Sequence, residues 1–277
     1  MDSTVDLPHQ GKAFDLANIR FQLIRLEDTI TFHLIERAQF HLNPTIYQPN
    51  LLPIPSTTPP GADSASQHLS LLDYLLRETE RIHSYVRRYD SPDEYPFFPS
   101  AIQKPILKPF KYPAKLHDND VNVNAQLKDA YIYKILPAAC RQTDALGDRG
   151  EEQENYGSSA TCDVSCLQAL SRRIHYGKFV AESKFRSETE RFVKLIKEED
   201  RQGIAEAITD AKVENKVLER LRLKAKTYGT DPEKGGIEQG KINVDAVVAM
   251  YKDHVIPLTK EVEVEYLMQR LAGTEWE

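Results

Sequence analysis

The chain has 277 residues, with 36 Lys and Arg against 42 Asp and Glu, so its formal net charge is −6. A hydrophobic content of 40% is enough for a buried core, which excludes a wholly disordered chain. No stretch approaches the roughly 18 consecutive apolar residues of a membrane span, and no dense Lys/Arg patch indicates nucleic-acid binding. Without a visible secretory signal, a cytoplasmic location is expected.

Apolar residues recur with helical periodicity along most of the chain, and no convincing run alternates with the period of a strand. We therefore predict an all-α fold: a single-domain multi-helix bundle over 1–277, with long N- and C-terminal helices. Pro137 and Pro257 fall inside helical patterns and should kink or interrupt them, because proline lacks a backbone N–H donor. In chain order the predicted helices are 15–42, 67–90, 119–141, 158–185, 188–198, 200–209, 211–228 and 243–272.

Proline-rich segments near 44–65 and 92–113 are predicted to be irregular. Six prolines lie between 44 and 60, and six more between 92 and 113. Each removes a donor and biases the preceding residue away from helix. The second segment is expected to lie against the body because of its apolar and aromatic side chains, which are Tyr95, Phe97, Phe98, Ile106, Phe110 and Tyr112.

Two short stretches resemble common functional motifs, but each lacks residues or surroundings that the motif requires. The spacing from Gly235 to Lys241 imitates a phosphate-binding P-loop, but Ile242 stands where Ser or Thr would hold magnesium, and no strand pattern precedes it. Cys162 and Cys166 lie one helical turn apart without a second pair of ligands, so core packing explains them better than zinc. We therefore predict no metal and no cofactor.

Helical wheels place several charged residues on apolar faces. At about 100° per residue, Arg173 and Lys184 fall within roughly 20° of each other on a stripe of small and apolar residues that includes Gly177. The predicted polar side of that helix carries Arg172, Lys178 and Glu182. Arg20 shares the inward face of the first helix with Glu27 and Thr31, and Glu263 falls on the apolar arc of the last helix with Thr259. The direction of Glu214 is undecided.

Two interpretations of these inward charges remain open at this point. Buried Arg–Glu pairs can stabilise a helical bundle without any ligand. However, three inward cations with few inward carboxylates leave unpaired positive charge, which is costly unless an anion is bound. A small dianion would balance Arg20, Arg173 and Lys184.

Longer stretches carry a family resemblance that runs nearly from end to end. They are Asn18 to Asp28, Ile35 to Arg37, Val86 to Tyr89, Ser91 to Glu94, Pro96 to Pro99, Asn155 to Ser158, Leu170 to Glu182 and Ile256 to Tyr266. In this order they resemble the fungal (yeast-type) all-helical chorismate mutases. The resemblance implies a Claisen rearrangement of chorismate to prephenate in phenylalanine and tyrosine biosynthesis.

The same resemblance assigns the site residues. The carboxylate-binding arginines would be Arg20 and Arg173, and the donors to the ether oxygen would be Lys184 and Glu263. Glu214 and Thr259 match the remaining polar positions, while Asp210 stands where the family has asparagine. Glu263 can assist only as a neutral acid, since an ionised carboxylate would repel the developing ether anion; its apolar flank favours that form and nearby cations oppose it.

Regulation is implied by resemblance alone. The family is a homodimer inhibited by tyrosine and activated by tryptophan at sites between subunits. The effector site would combine Arg87 and Arg88 of one chain with residues of the other, namely Asn155, Gly157, Ser158 and Thr161. The alternative for Arg87 and Arg88 is a basic helix C-terminus favoured by the helix dipole.

Two rival functions stay open at the level of sequence. One is another pathway enzyme that acts on a small dicarboxylate, and the other is a catalytically silent helical scaffold that kept the fold. Both would need Arg20, Arg173 and Lys184 to find other anions.

Overall fold

The structure is a computed structural model that describes residues 13–55, 69–109, 116–140, 149–228, 230 and 242–277. All regular elements within these ranges are helical, which confirms the all-α prediction. None of the described helices has the length and apolar character needed to cross a membrane. In chain order the α-helices are α1 (Leu16–Arg37), α2 (Leu71–Tyr85), α3 (Asn124–Ala130), α4 (Leu136–Ala139), α5 (Arg149–Gln153), α6 (Tyr156–His175), α7 (Gly177–Ser187), α8 (Thr189–Lys197), α9 (Arg201–Ile208), α10 (Ala211–Thr227), α11 (Val244–Met250) and α12 (Ile256–Met268).

Both prolines predicted to disturb helices do so in the same way. Pro137 and Pro257 are each the second residue of a helix, α4 and α12, that follows a π-helical turn, Tyr131–Ile135 and Tyr251–Val255 respectively. A proline inside a helix lacks one donor, and its ring clashes with the carbonyl four residues earlier. The wider π turn accommodates that carbonyl, so α3 continues into α4 and α11 into α12 with local distortion.

Helix α6 packs against four other helices, α1, α2, α3 and α12. A buried ion pair holds α1 to α6: Arg37 Nε donates to Asp163 Oδ1 at 2.6 Å, and both side chains are almost inaccessible to solvent. Asp163 also accepts from the hydroxyls of Tyr47 at 2.7 Å and Tyr131 at 2.8 Å. The three donors come from different segments of the chain and share one carboxylate of α6. Their hydrogen bonds therefore hold these segments against α6.

The prediction that Lys178 and Glu182 lie on a polar side of their helix is wrong. Lys178 is fully buried and donates to Asn119 Oδ1 at 2.7 Å and to the Val121 carbonyl at 2.6 Å. Glu182 is buried as well and accepts from Tyr266 and Arg270, each at 2.7 Å. Residues 116–123 and the end of α12 cover this face and supply hydrogen-bond partners to its charged groups, which periodicity within one helix cannot reveal.

The second proline-rich segment lies partly against the body, as predicted. Tyr95 stacks on His175 with ring centroids 4.4 Å apart, and Phe97 and Phe98 pack against the main core. Ile106 does not, because it is 76% exposed. Phe110 and Tyr112 lie outside the described residues, as do 56–65 of the first segment and the P-loop imitation from Gly235 to Lys241.

Candidate active site

One cavity of about 380 Å³ lies between α1, α6, α7, α10 and α12. The structure places all the residues proposed for catalysis around it. They are Arg20, Arg173, Lys184, Asp210, Glu214, Thr259 and Glu263. These residues come from far apart in the chain, so only the packing of the five helices brings them together.

Arg173 is the most informative cation of the cavity. Its side chain is 6% exposed, and its Nε and Nη1 atoms are buried without a hydrogen-bond partner among the described residues. A buried charge without a partner is costly, so an anion in the cavity would be stabilised by this guanidinium. Arg20, predicted on the inward face of the first helix, lines the same cavity but is exposed to solvent there.

Lys184, which also lines the cavity, is held by backbone oxygens. Its Nζ donates to the Ile208 carbonyl at 2.7 Å and to the Ala207 carbonyl at 3.3 Å, at the end of α9. Carbonyl oxygens at a helix C-terminus attract a cation, because the helix dipole is negative there. The ammonium group has three protons, so one remains for a ligand in the cavity.

Glu263 is the buried carboxyl of the cavity wall. It is 6% exposed, and burial raises its pKa to about 8, against the opposing pull of Lys184, Arg173 and Lys260. A carboxyl with such a pKa is protonated at neutral pH and can donate a hydrogen bond. The cavity therefore has a neutral donor beside its cations.

Gly177 sets how closely α12 approaches the junction of α6 and α7. A Cβ at this position would lie 2.9 Å from Thr259 Cγ2 and 3.1 Å from Glu263 Cγ. Thr259 Oγ1 donates to the Val255 carbonyl at 2.7 Å, so its proton is already used and the hydroxyl oxygen can serve a ligand only as an acceptor. The glycine thus positions two site residues at once.

Asp210 and Glu214, the two other carboxylates proposed for the site, are both occupied. Asp210 is the N-cap of α10, with Oδ1 accepting from the amides of Lys212 at 3.0 Å and Val213 at 3.2 Å. Glu214 Oε1 pairs with Lys260 Nζ at 2.8 Å. Both carboxylates that line the cavity therefore have partners within the protein.

The sequence analysis did not predict a charge cluster to which two residues of the cavity lining, Glu27 and Arg220, belong. Glu27, which is fully buried, accepts from Arg220 Nε at 2.7 Å and Nη2 at 2.6 Å, and from Lys224 Nζ at 3.3 Å. One pattern in the sequence could have predicted the cluster: Glu27 falls on the inward face of α1, and Arg220 and Lys224 lie one turn apart on α10. This cluster neutralises Glu27, so Glu27 does not compensate Arg173.

The residues proposed for effector binding lie on two separate elements. Arg87 follows α2 and donates Nη1 to the Lys108 carbonyl at 2.6 Å. Arg88 is buried and donates to Glu94 Oε2 at 3.1 Å and Gln168 Oε1 at 2.9 Å. Arg88 Nη1 also lies 2.9 Å from His83 Nδ1, in the last turn of α2. The remaining proposed residues lie at the start of α6, where Asn155 is half-buried and Gly157, Ser158 and Thr161 are exposed.

The fold and the cavity define an all-helical protein that can hold a small dianion and offer it a neutral acid. Comparison with known proteins agrees with that class. The family model for chorismate mutase type II matches residues 155–264. The chain is 69% identical to the chorismate mutase of Emericella nidulans, covering 100% of both chains. It is 44% identical to the enzyme of Saccharomyces cerevisiae, covering 96% of this chain and 99% of the yeast one.

Solved structures agree with the sequence relatives. The crystal structure of a chorismate mutase from Candida albicans in complex with L-Trp superposes with a TM-score of 0.85 at 43% identity, covering 97% of this chain and 96% of that one. AtCM1 with tyrosine bound in its allosteric site gives a TM-score of 0.78 at 37% identity, with coverage of 95% and 99%. The chain belongs to the chorismate mutase family, isomerases that convert chorismate to prephenate.

Proposed function

We propose that Arg20 and Arg173 bind the two carboxylates of chorismate, and that Lys184 and Glu263 act on its ether oxygen. The observation that carries this assignment is the Arg173 guanidinium, which is buried in the cavity with two nitrogen atoms unpartnered. Charged and bidentate contacts of arginine with carboxylates are among the strongest hydrogen bonds in proteins. Thr259 and Glu214 complete the polar wall of the same cavity.

The rearrangement takes place within one molecule, so orientation is the first contribution of the protein. Two arginines that hold two carboxylates restrict chorismate to the compact conformer in which the new C–C bond can form. Charge is the second contribution, because the ether oxygen gains electron density as the C–O bond breaks. Donors that meet such an oxygen are worth about 3–4 kcal/mol each in other enzymes.

The test of these roles is a chorismate-consumption assay with a direct measurement of prephenate. We expect chelator-treated protein to be active without added cofactor, and Lys184→Ala to lose at least about a hundredfold in kcat because an oxyanion donor is removed. Lys194→Ala is the matched control, since Lys194 is exposed on α8 and its nearest carboxylate oxygen, on Glu198, lies at 4.0 Å. Normal turnover by Lys184→Ala would contradict the assignment.

A silent scaffold of the same fold is the less favoured alternative. A scaffold has no need of an unpartnered buried guanidinium beside a buried neutral carboxyl, and both features cost stability. The high identity to curated chorismate mutases over the full length points the same way.

The proposal also covers how the protein assembles and how its activity is regulated. We infer a cytoplasmic homodimer that is inhibited by tyrosine and activated by tryptophan. The support is the pair of related structures that hold L-Trp and tyrosine. Arg87 and Arg88 of one subunit would face the start of α6 of the other, where Asn155, Gly157, Ser158 and Thr161 offer backbone and hydroxyl groups to an amino acid.

Arg88 is a poor choice for testing this site, because its loss would leave the buried Glu94 with one partner fewer. Thr161→Val is sharper, since Thr161 is exposed and its hydroxyl donates only to the Gly157 carbonyl of its own helix, at 2.8 Å. We expect isothermal titration to show tyrosine binding weakened about tenfold, the cost of one hydrogen bond to a charged ligand. Ser165→Ala, one turn further along, is the control; equal binding by both variants would remove Thr161 from the site.

A further inference from the structure

A network of buried polar groups joins α7 to α12 outside the cavity. Its centre is Glu182 on α7, whose side chain is 1% exposed. Glu182 Oε2 accepts from the hydroxyl of Tyr266, on α12, and from Nε of Arg270, two residues beyond the end of that helix, each at 2.7 Å. Arg186, one turn later on α7, donates to Glu182 Oε1 at 2.7 Å. None of these four residues lines the cavity.

Further contacts orient the two partners that come from the α12 side. The guanidinium carbon of Arg270 lies 4.4 Å from the ring centroid of Phe185, on α7. The Tyr266 hydroxyl accepts from the amide of His117 at 3.0 Å, which leaves its own proton for Glu182. Burial opposes ionisation of Glu182, but the hydrogen bonds that it accepts, those from Arg270 first, hold its pKa below the ordinary value. Glu182 is therefore an ionised acceptor between the two helices.

The helices joined in this way carry the two groups proposed to act on the ether oxygen. Lys184 follows Glu182 by two residues, about 200° around the helix, so it points to the opposite side of α7. Glu263 lies one turn before Tyr266 on α12. The polar network therefore holds the outer side of a pair of helices whose inner side presents Lys184 and Glu263 to the cavity.

The same pair of helices has one other close contact, at Gly177 and Thr259. A single contact sets a distance at one point but leaves two helices free to rotate or slide against each other. The contact of Glu182 with Tyr266 lies further along both helices, about one turn from the first. A second fixed point removes this freedom and so determines how the two helices face each other.

We propose that Glu182 is a positioning residue for the rearrangement, which fixes α7 against α12 and thereby sets the separation of Lys184 and Glu263. The inference rests on the proposed roles of these two residues and deepens them. Arg20 and Arg173, proposed to bind the substrate carboxylates, lie on α1 and α6 instead. A weakened network should therefore lower kcat and leave KM for chorismate nearly unchanged.

The experiment compares Tyr266→Phe with Tyr131→Phe in steady-state kinetics on chorismate. Both tyrosines are fully buried, and each donates to a buried carboxylate, Glu182 at 2.7 Å and Asp163 at 2.8 Å. We expect Tyr266→Phe to lower kcat about tenfold and to change KM less than about twofold, since a misplacement of about 1 Å can cost about a hundredfold in rate. Tyr131→Phe removes an equivalent hydrogen bond outside α7 and α12, so both constants should stay near those of the wild type.

Glu182→Gln is the stronger variant, because it removes the charge that Arg270 pairs with. Its kcat should fall further than that of Tyr266→Phe, again with little change in KM. In the Glu182→Gln background, Tyr266→Phe should lower kcat by a smaller factor than in the wild type, because the two residues act through one contact. Circular dichroism checks that each variant is folded, and Tyr266→Phe decides alone if Glu182→Gln is not.

The split between kcat and KM separates positioning from a merely structural role. A kcat for Tyr266→Phe equal to that of Tyr131→Phe, or a rise in KM as large as the fall in kcat, would overturn the inference. Lys184→Ala, assayed alongside, tests the proposed catalytic set. If Lys184→Ala retains normal turnover, the proposed roles fail; if it is impaired while Tyr266→Phe is not, only the positioning role of Glu182 fails.

Discussion

Gly177 and Thr259 approach so closely that a Cβ on the glycine would lie 2.9 Å from the threonine Cγ2 and 3.2 Å from its carbonyl oxygen. The carbonyl cannot swing aside as a flexible side chain would, because it belongs to the backbone of α12. Helix α12, which carries Thr259 and Glu263, can therefore approach Gly177 this closely only because residue 177 has no side chain.

Gly177→Ala should consequently destabilise the fold and displace the site together. We expect a loss of about 1–3 kcal/mol in the free energy of unfolding, the usual cost of overpacking, and a fall in kcat/KM. Gly157→Ala is the stability control, since a Cβ there meets nothing within 4 Å and alanine is the better helix former. Urea denaturation and steady-state kinetics measure both effects; an unfolding free energy equal to that of the wild type would contradict the close approach.

Arg173 and Arg37 are both buried, but only Arg37 has a carboxylate partner. Arg173→Met should lower kcat/KM by at least about a hundredfold through loss of substrate orientation, while leaving the free energy of unfolding unchanged or higher, because an unpaired charge is removed. Arg37→Met should cost about 3–5 kcal/mol, since it leaves Asp163 buried without its cation. Thermal and urea unfolding compare the two; a strongly destabilised Arg173→Met would indicate a structural role for this arginine.

The pH dependence of turnover should follow Glu263. Its raised pKa of about 8 means that the proton donor is present below that pH and is lost as the pH rises through it. We expect kcat/KM, which reports on the free enzyme, to decline across that range, and Glu263→Gln to keep substantial activity and flatten the decline. Glu261→Gln is the control, because Glu261 is exposed on the same helix. An unchanged alkaline limb in Glu263→Gln would mean that another group titrates.

Asp210 offers a substitution that separates capping from charge. Asparagine caps a helix about as well as aspartate, so Asp210→Asn should change the free energy of unfolding by only a few tenths of a kcal/mol. Removal of a negative charge from a cavity that binds a dianion should lower KM. Asp200→Asn is the control: Asp200 caps α9 through the Gly203 amide at 2.8 Å and does not line the cavity. An equal or higher KM for Asp210→Asn would show that the carboxylate does not oppose the substrate.

The amino-acid sequence by itself determined the helical class and the inward direction of several charged residues. Helical periodicity reports the direction of a side chain around its own helix, which is why it predicts the inward directions of Arg173, Thr259 and Glu263, all of which are buried. The positions at which Pro137 and Pro257 interrupt helices also follow from local chemistry, because a missing donor is a property of one residue.

Only the tertiary structure decided which of the remaining faces are covered and which charges pair. Lys178 and Glu182 are buried because other segments pack over the second face of α7, a fact absent from the period of that helix. Likewise, Glu214 could not be assigned from its neighbours; its partner Lys260 comes from another helix. Contacts between residues distant in sequence depend on how whole helices pack, and periodicity along one helix carries no information about its neighbours.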